Sequence, residues 1–278
     1  MLNKKVIFPS SVVLFIALVF VLPKSFIPID LGSTILTVAT FLFGIIGGFY
    51  IMVTTTDYNS VKSILAAETA GWISLHQNLY IYDKKLAKKF SLMIDEYIRR
   101  AFDYEIINYA KGTKDEYGKL KNYIQELPVK NELSSVHQNI TGIMGSIVSA
   151  RQQLTVLGTK TLSPFQWFVL MILGFFVIVS LYGVSSGEFF FDIVTIAISS
   201  SVVLILFLIR DLDLYIWNEE TFGYDIFENV LVSIDQLPYY PAESLAKGRV
   251  HPKYNKYRLG TLINPEKNFN RKIKIVTQ

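Results

Sequence analysis

The sequence predicts an all-α integral membrane protein with four transmembrane helices, two plus two, and a cytoplasmic helical bundle between the second and third. Three observations carry this. Half of the 278 residues are hydrophobic and the mean hydropathy is positive, at +0.36. The apolar residues collect in uncharged blocks long enough to span a bilayer, where a soluble domain would spread them at a period of 3.6 or 2. Between the second and third blocks lies a long polar segment whose apolar residues recur every seven positions.

The chain starts with a short basic stretch, Met1 to Lys5, followed by the apolar run Val6 to Leu22. Charge and length fit a signal peptide. The following Val21-Leu22-Pro23-Lys24-Ser25 offers no small-x-small cleavage site, which favours an uncleaved first span. Pro23 and Pro28 bound a short turn, so residues 1–56 should form an antiparallel transmembrane hairpin. The second span, Leu31 to Val53, is 23 residues without a charge. At about 1.5 Å of rise per residue it crosses the hydrocarbon core. Gly44 and Gly48 make a GxxxG pattern with Ser33, Thr37 and Thr40 on nearly the same face, a surface for close helix packing. Phe41, Ile45 and Phe49, four apart on a neighbouring face, either line a hydrophobic pore constriction or meet lipid or another helix.

After Thr54-Thr55-Thr56 the pattern narrows to one seam. Tyr58, Leu65, Trp72 and Leu79 are spaced by seven, and Val61, Glu68, Leu75 and Tyr82 form a parallel row. The segment 57–160 interleaves 14 basic with 11 acidic residues, as on the surface of a solvated bundle. Leu86, Phe90, Met93, Ile94, Tyr97 and Ala101 predict an amphipathic helix from about Asp83 to Tyr109, broken at Gly112. A short helix over Glu116 to Leu127 ends at Pro128, and Asn131 caps the next. That returning helix repeats the seam, with Leu133, Ile140, Ile147 and Leu154 in one row and Val136, Ile143, Ala150 and Leu157 in the other. Glu68 is the misfit. Counted from the two membrane ends, Glu68 and Arg151 stand at similar heights, about 16 and 14 Å. They therefore make a bundle ion pair, the alternative being that Glu68 turns to solvent at the edge of the seam.

Residues 161–210 form the second transmembrane hairpin. Ser163 is the N-cap of the third span, Pro164 its first residue and Gln166 the reciprocal partner of a capping box, with Trp167 at the interface. That span runs from Phe165 to about Val184, and Ser185-Ser186-Gly187-Glu188 turns into the fourth, Phe189 to Ile209. Asp192, Thr195 and Ser199 share a face of the fourth span. They form either a polar stripe along a water-filled path or an interfacial Asp followed by small packing residues. Lys4, Lys5, Lys62, Arg151, Lys160 and Arg210 fall on the side of the termini and only Lys24 opposite, which places both termini and the bundle in the cytoplasm and the spans in the cell membrane. Residues 211–246 carry scattered acids, Asp211, Asp213, Glu219, Glu220, Asp225 and Glu228, leading into an amphipathic helix with Phe227, Val230, Leu231, Ile234 and Leu237 inward. No EF-hand spacing is present, and a solvated acidic face is the simpler reading. Residues 247–278 hold nine Lys or Arg against the single acid Glu266, a net +8. This basic, flexible tail should bind anionic lipid headgroups through Lys247, Arg249, Lys253, Lys256, Arg258, Arg271, Lys272 and Lys274.

Absence of cysteine removes disulfides, thiol chemistry and thiolate zinc sites. His76, His137 and His251 are too few for a structural metal centre without further ligands. No HExxH, GxSxG, phosphate loop or dinucleotide fingerprint occurs, so no enzyme, cofactor, metal or nucleic-acid partner is expected.

The order of two spans, a long helical segment and two spans holds over roughly Leu31 to Pro241. Its local motifs are Arg151-x-x-Leu154 before the third span, Pro164, Trp167 and Gly174 at its start, and Leu212-Asp213 followed by Gly223 after the fourth. In these features the chain resembles the bestrophin-like family of four-span membrane proteins. True bestrophins are pentameric anion channels whose second span lines the pore with apolar residues four apart. The resemblance therefore assigns the pore to Phe41, Ile45 and Phe49 and implies a homo-oligomer. The acidic run also resembles the position of their calcium clasp, but the expected proline after Leu212-Asp213 is replaced by Leu214-Tyr215, and the acids are scattered. The resulting reading is an oligomeric bestrophin-like anion channel. The alternative is a membrane-anchored signalling or scaffold protein working through its helical bundle.

Overall fold

The computed structural model of the chain describes residues 4–21, 23, 25–157, 162–216, 223–263 and 271–277. Lys24, Lys160, Glu219, Glu220 and Glu266 lie outside the described residues. The elements are α1 (Lys4–Val21), α2 (Ile29–Tyr82), α3 (Lys84–Ala101), α4 (Ile106–Gly112), α5 (Lys114–Gln125), a 3-10 turn (Asn131–Leu133), α6 (Ser134–Leu157), α7 (Pro164–Gly183), α8 (Phe189–Asp213), α9 (Asp225–Ser233), β1 (Tyr239–Pro241), α10 (Ala242–Ala246), β2 (Lys256–Leu262) and β3 (Arg271–Thr277). The chain divides into two compact units, Met1–Tyr58 with Lys160–Trp217, and Asn59–Thr159 with Asn218–Gln278. The long helix α2 supplies residues to both.

The first unit is apolar. Helices α2, α7 and α8 are each long and apolar enough to cross a membrane, and α1 adds the shorter apolar stretch Val12–Val21. Its core joins Ala39, Phe43, Leu170, Val177, Val202 and Ile209. Gly174 of α7 is small for a reason of packing: a Cβ there would lie 3.1 Å from Val202 and 3.4 Å from Phe43. The start of α7 follows the capping-box expectation, with Gln166 N donating to Ser163 Oγ at 3.3 Å and Ser163 N to Gln166 Oε1 at 2.7 Å. Asp213, at the end of α8, ties that corner together: Oδ1 accepts from Leu162 N at 3.0 Å and Oδ2 from Trp167 Nε1 at 3.3 Å. The α1–α2 and α7–α8 turns also pair, through Ser25 N to Ser185 O and Ile27 N to Gly183 O, both 3.2 Å.

The second unit is polar outside and packed around the seam of α2. The seven seam positions of this unit, from Val61 to Tyr82, are all buried, Glu68 included. Trp72 sits among Phe90, Tyr97 and Tyr117, with ring centroids 6.2, 5.5 and 6.3 Å away. On α6, Ile140, Ile147, Ala150 and Leu154 are buried, whereas Val136, Ile143 and Leu157 are half-buried. Gly71 lets α6 come close, since a Cβ there would meet Ile147 at 2.6 Å.

Three expectations are corrected in this unit. The helix predicted from Asp83 to Tyr109 ends at Ala101, and α4 starts separately at Ile106. Phe102 stacks on Tyr224 at 5.2 Å and Asp103 accepts from Arg271 Nε at 2.8 Å, contacts that draw both residues out of the helical path. The amphipathic helix expected in 211–246 is only nine residues long, α9. It buries Phe227, Val230, Leu231 and then Ile234, but leaves Leu237 half-buried because the chain turns at Asp235, where φ is 59°. Finally, much of 247–278 is ordered, contrary to a flexible tail: β2 and β3 form an antiparallel pair, and β1 lies parallel to β2 on its other side. Tyr257 of β2 is buried in a cluster with Tyr224, Tyr240 and Val250, giving the sheet an apolar anchor.

Candidate functional site

The apolar half of α2 has two unlike faces. Ala39 and Phe43 face inward, and Gly47 approaches Leu170 and Ile205 to within 3.9 Å of where its Cβ would be. Phe41, Ile45 and Phe49 are 66, 55 and 55% exposed. A Cβ on Gly44 or Gly48 would meet nothing within 4 Å. Within this chain, close packing therefore uses Gly174, and Gly47 faces the same core at ordinary contact distance, while the GxxxG pair lies on the same uncovered side as the aromatic stripe.

The stripe on α8 is internal. Asp192 is half-buried and accepts from Ser185 Oγ at 3.0 Å; Thr195 and Ser199 are fully buried. The hydroxyls of Thr195 and Ser200 have no hydrogen-bond partner among the described residues. A buried hydroxyl without a partner is costly, so this seam is a place for a helix-carbonyl bond or a trapped water. Near the other end of α8, the Arg210 guanidinium lies 5.7 Å from the Phe207 ring.

The densest polar chemistry lies in the second unit. Arg151 Nη1 is 3.5 Å from Glu68 Oε1, and both side chains are buried. The direct contact is a single long one rather than a two-pronged fork. Tyr97 stands between the two, donating to Glu68 Oε1 at 2.5 Å and accepting from Arg151 Nη1 at 2.6 Å. Tyr109 and Trp72 donate to the same carboxylate oxygen at 3.0 and 3.3 Å, and the Tyr97 and Tyr109 hydroxyls touch each other. Arg151 turns its other arm to Ala110 O and Thr113 Oγ1, both at 2.6 Å, beneath the Tyr117 ring 4.4 Å away. Glu68 Oε2 is buried without a partner among the described residues. Burial pushes the Glu68 carboxyl above the usual carboxylate range, against the pull of Arg151 and the three donors. It pushes the Tyr97 and Tyr109 hydroxyls well up too. Sequence reasoning found the Glu68–Arg151 pair from matched heights, but Tyr97 and Tyr109 read only as core aromatics.

Two of the residues assigned to lipid are engaged elsewhere. Arg258 forks onto Asp95, Nη1 to Oδ2 at 2.9 Å and Nη2 to Oδ1 at 2.5 Å. Arg271 bridges Asp103 at 2.8 Å and Glu243 at 2.7 Å. These guanidinium groups are half-buried inside the unit, which corrects their assignment to headgroups. Lys253 pairs with Asp225 at 2.7 Å, and Arg249 is half-buried. Lys247, Lys256, Lys272 and Lys274 are exposed. Among the described residues no three His, Asp or Glu side chains gather as a metal site would require.

A predominantly helical protein with spans built into one unit, and a polar helical unit continuing from its second long helix, defines a class of integral membrane protein. The chain belongs to the bestrophin-like family: the Bestrophin-like domain matches residues 7–214. The fold is similar to that of a bacterial bestrophin homolog from Klebsiella pneumoniae, with a TM-score of 0.58 and 11% identity over 85% of this chain and 100% of that one. A single-substitution variant of that homolog gives a TM-score of 0.57 at 9% identity, over 83% of this chain and 96% of that one. No curated protein matches.

Proposed function

We propose that the chain assembles into a homo-oligomeric anion channel of the cell membrane, with α1, the apolar half of α2, α7 and α8 as its four spans. Both termini and the polar unit then lie in the cytoplasm, in keeping with the basic residues at the span ends. The observation that supports this reading best is the uncovered face of α2, where Phe41, Ile45 and Phe49 are exposed beside two glycines with open space above them. Copies of this chain brought together at the glycines would set the rings around a common axis, and a ring of apolar side chains gates ions by dewetting.

Reconstituted Phe49→Ala protein is expected to pass more anion than the wild type at equal protein load, because one apolar ring of the proposed constriction is widened. Equal flux in the two proteins takes the stripe out of the pore. A monomeric or dimeric protein that is silent in flux favours the second reading, a membrane-anchored scaffold working through its packed helical unit.

Anionic headgroups remain partners for the exposed lysines. Each basic residue near a membrane surface contributes about 1 kcal/mol, so Lys272→Gln with Lys274→Gln should weaken binding of short-chain phosphatidylserine to the detergent-solubilised protein about tenfold or more at low salt. Unchanged binding removes β3 from the lipid surface.

A further inference from the structure

The second unit holds a cavity of about 260 Å³ between the α3–α4 turn and the segment that leads into and through α9. Part of its wall comes from Gly223, Tyr224, Phe227 and Arg249, all beyond the residues matched by the family domain. Five rings share its wall with the polar groups of Asp103, Glu105 and Arg249. Phe102 stacks on Tyr224 at 5.2 Å and meets Phe227 edge-on at 5.6 Å, while Tyr109 lies 5.5 Å from Phe227. Ring faces carry negative potential and attract cations.

The charges around the cavity are unequally committed. Asp103 has both oxygens occupied, by Arg271 Nε at 2.8 Å and Arg100 Nη1 at 3.3 Å. Arg249 is itself partnered. Glu105 is exposed at the rim and, although it stands at the N-cap of α4, its carboxylate makes no capping hydrogen bond. The cavity thus offers aromatic side chains inside and one available carboxylate at its mouth. Its inner end is formed by Leu65 and Tyr109, and the Tyr109 hydroxyl reaches the buried Glu68 carboxylate at 3.0 Å.

We propose that this cavity binds a small aromatic amine, with its ring among Phe102, Tyr109, Tyr224 and Phe227 and its ammonium against Glu105. The volume lies just under the range of about 300 to 1,000 Å³ common for ligand pockets, which limits the occupant to one ring and a short chain. Occupancy bears on the Tyr109–Glu68 bond and so on the polar core of the unit. The proposal is independent of conduction.

Isothermal titration of the full chain in detergent with tyramine, 4-hydroxyphenylacetate and p-cresol separates the contributions of charge and ring. Tyramine should bind tightest of the three. Glu105→Gln should weaken tyramine about fivefold, the worth of one partly solvated ion pair, and leave p-cresol unchanged. Gly223→Leu, where an added Cβ meets nothing within 4 Å, should fill the space and abolish binding of all three. Tighter binding of 4-hydroxyphenylacetate would mean that Arg249 dominates the site and would overturn the proposal. Equal affinity for the three probes, binding unchanged in Gly223→Leu, or no saturable binding would overturn it as well.

Discussion

Replacing Arg151 with methionine is expected to lower the stability of the protein by about 3 to 5 kcal/mol, the cost of removing one partner from a buried charge network. Methionine fills the space of the Arg151 stem but supplies no donor. Ala110 O and Thr113 Oγ1 each lose a 2.6 Å contact, and the Tyr97 hydroxyl loses the guanidinium that it accepts from. Glu68→Gln should be much milder, about 1 kcal/mol, because an amide oxygen still accepts from Tyr97, Tyr109 and Trp72. The two replacements together should be non-additive, since Tyr97 couples the groups. Thermal unfolding of the full chain in detergent measures all three. A loss below about 1 kcal/mol for Arg151→Met would place the guanidinium in solvent.

The same pair sets a pH dependence whose sign follows from burial. The Glu68 carboxyl is raised from its ordinary 4.5, first by desolvation. The folded state therefore holds this proton more tightly than the unfolded chain. Its contribution to stability is fully present below 4.5 and is lost as pH rises through the folded value. The melting temperature of the wild type should fall relative to Glu68→Gln as pH climbs from 4.5. Asp103 and Glu228, raised by burial, and His76, lowered by it, also titrate, but both proteins carry them and the difference cancels their effect. A constant difference across pH would mean that Glu68 is charged throughout the range.

Patterns with a fixed period were legible in the sequence because period alone sets which face is buried. The two heptad rows of α2 are an instance: burying one row at 3.6 residues per turn carries the other with it, so even Glu68 could be placed inside. The entry to α7 was legible for a local reason, since Ser163, Pro164 and Gln166 satisfy one another without help from the rest of the chain. What stayed hidden depends on partners far away in sequence. Nothing near Phe102-Asp103-Tyr104 ends a helix; there is no Gly or Pro, and the break follows from Tyr224 and from Arg271, which is 168 residues on. The GxxxG reading left its partner helix unnamed for a related reason. A small-residue pattern states that a helix can come close without saying which one, and within this chain a Cβ on Gly44 or Gly48 would meet nothing within 4 Å. The basic C-terminal stretch read as a tail because composition counts charges without showing which acids they meet.

That stretch yields the second large effect. Arg258→Met is expected to cost about 3 kcal/mol and to loosen the sheet locally. Its guanidinium makes a bidentate pair with Asp95 of α3, the strong geometry for a carboxylate, and its Nε and Nη2 also donate to Leu237 O at 3.0 and 2.6 Å. Asp95 in turn accepts from Arg99 Nε at 2.9 Å. One side chain thereby fastens β2 to α3 and to the turn before β1, and β2 is the central strand to which β1 and β3 are both bonded. Without it, Asp95 keeps only the exposed side of its ion pairing, and three elements lose their common tie. Lysine at 258 should restore only part of the loss, since a single ammonium cannot fork onto both oxygens and also reach a carbonyl. Hydrogen exchange of the full chain in detergent reads this directly: amides of Lys256–Leu262 should exchange faster in Arg258→Met than in the wild type, with Arg258→Lys between, while those of α7 and α8 stay unchanged. If the stretch were a free basic tail, Arg258→Met would leave these amides as they were, and that result would also return Arg258 to the set of residues available to lipid.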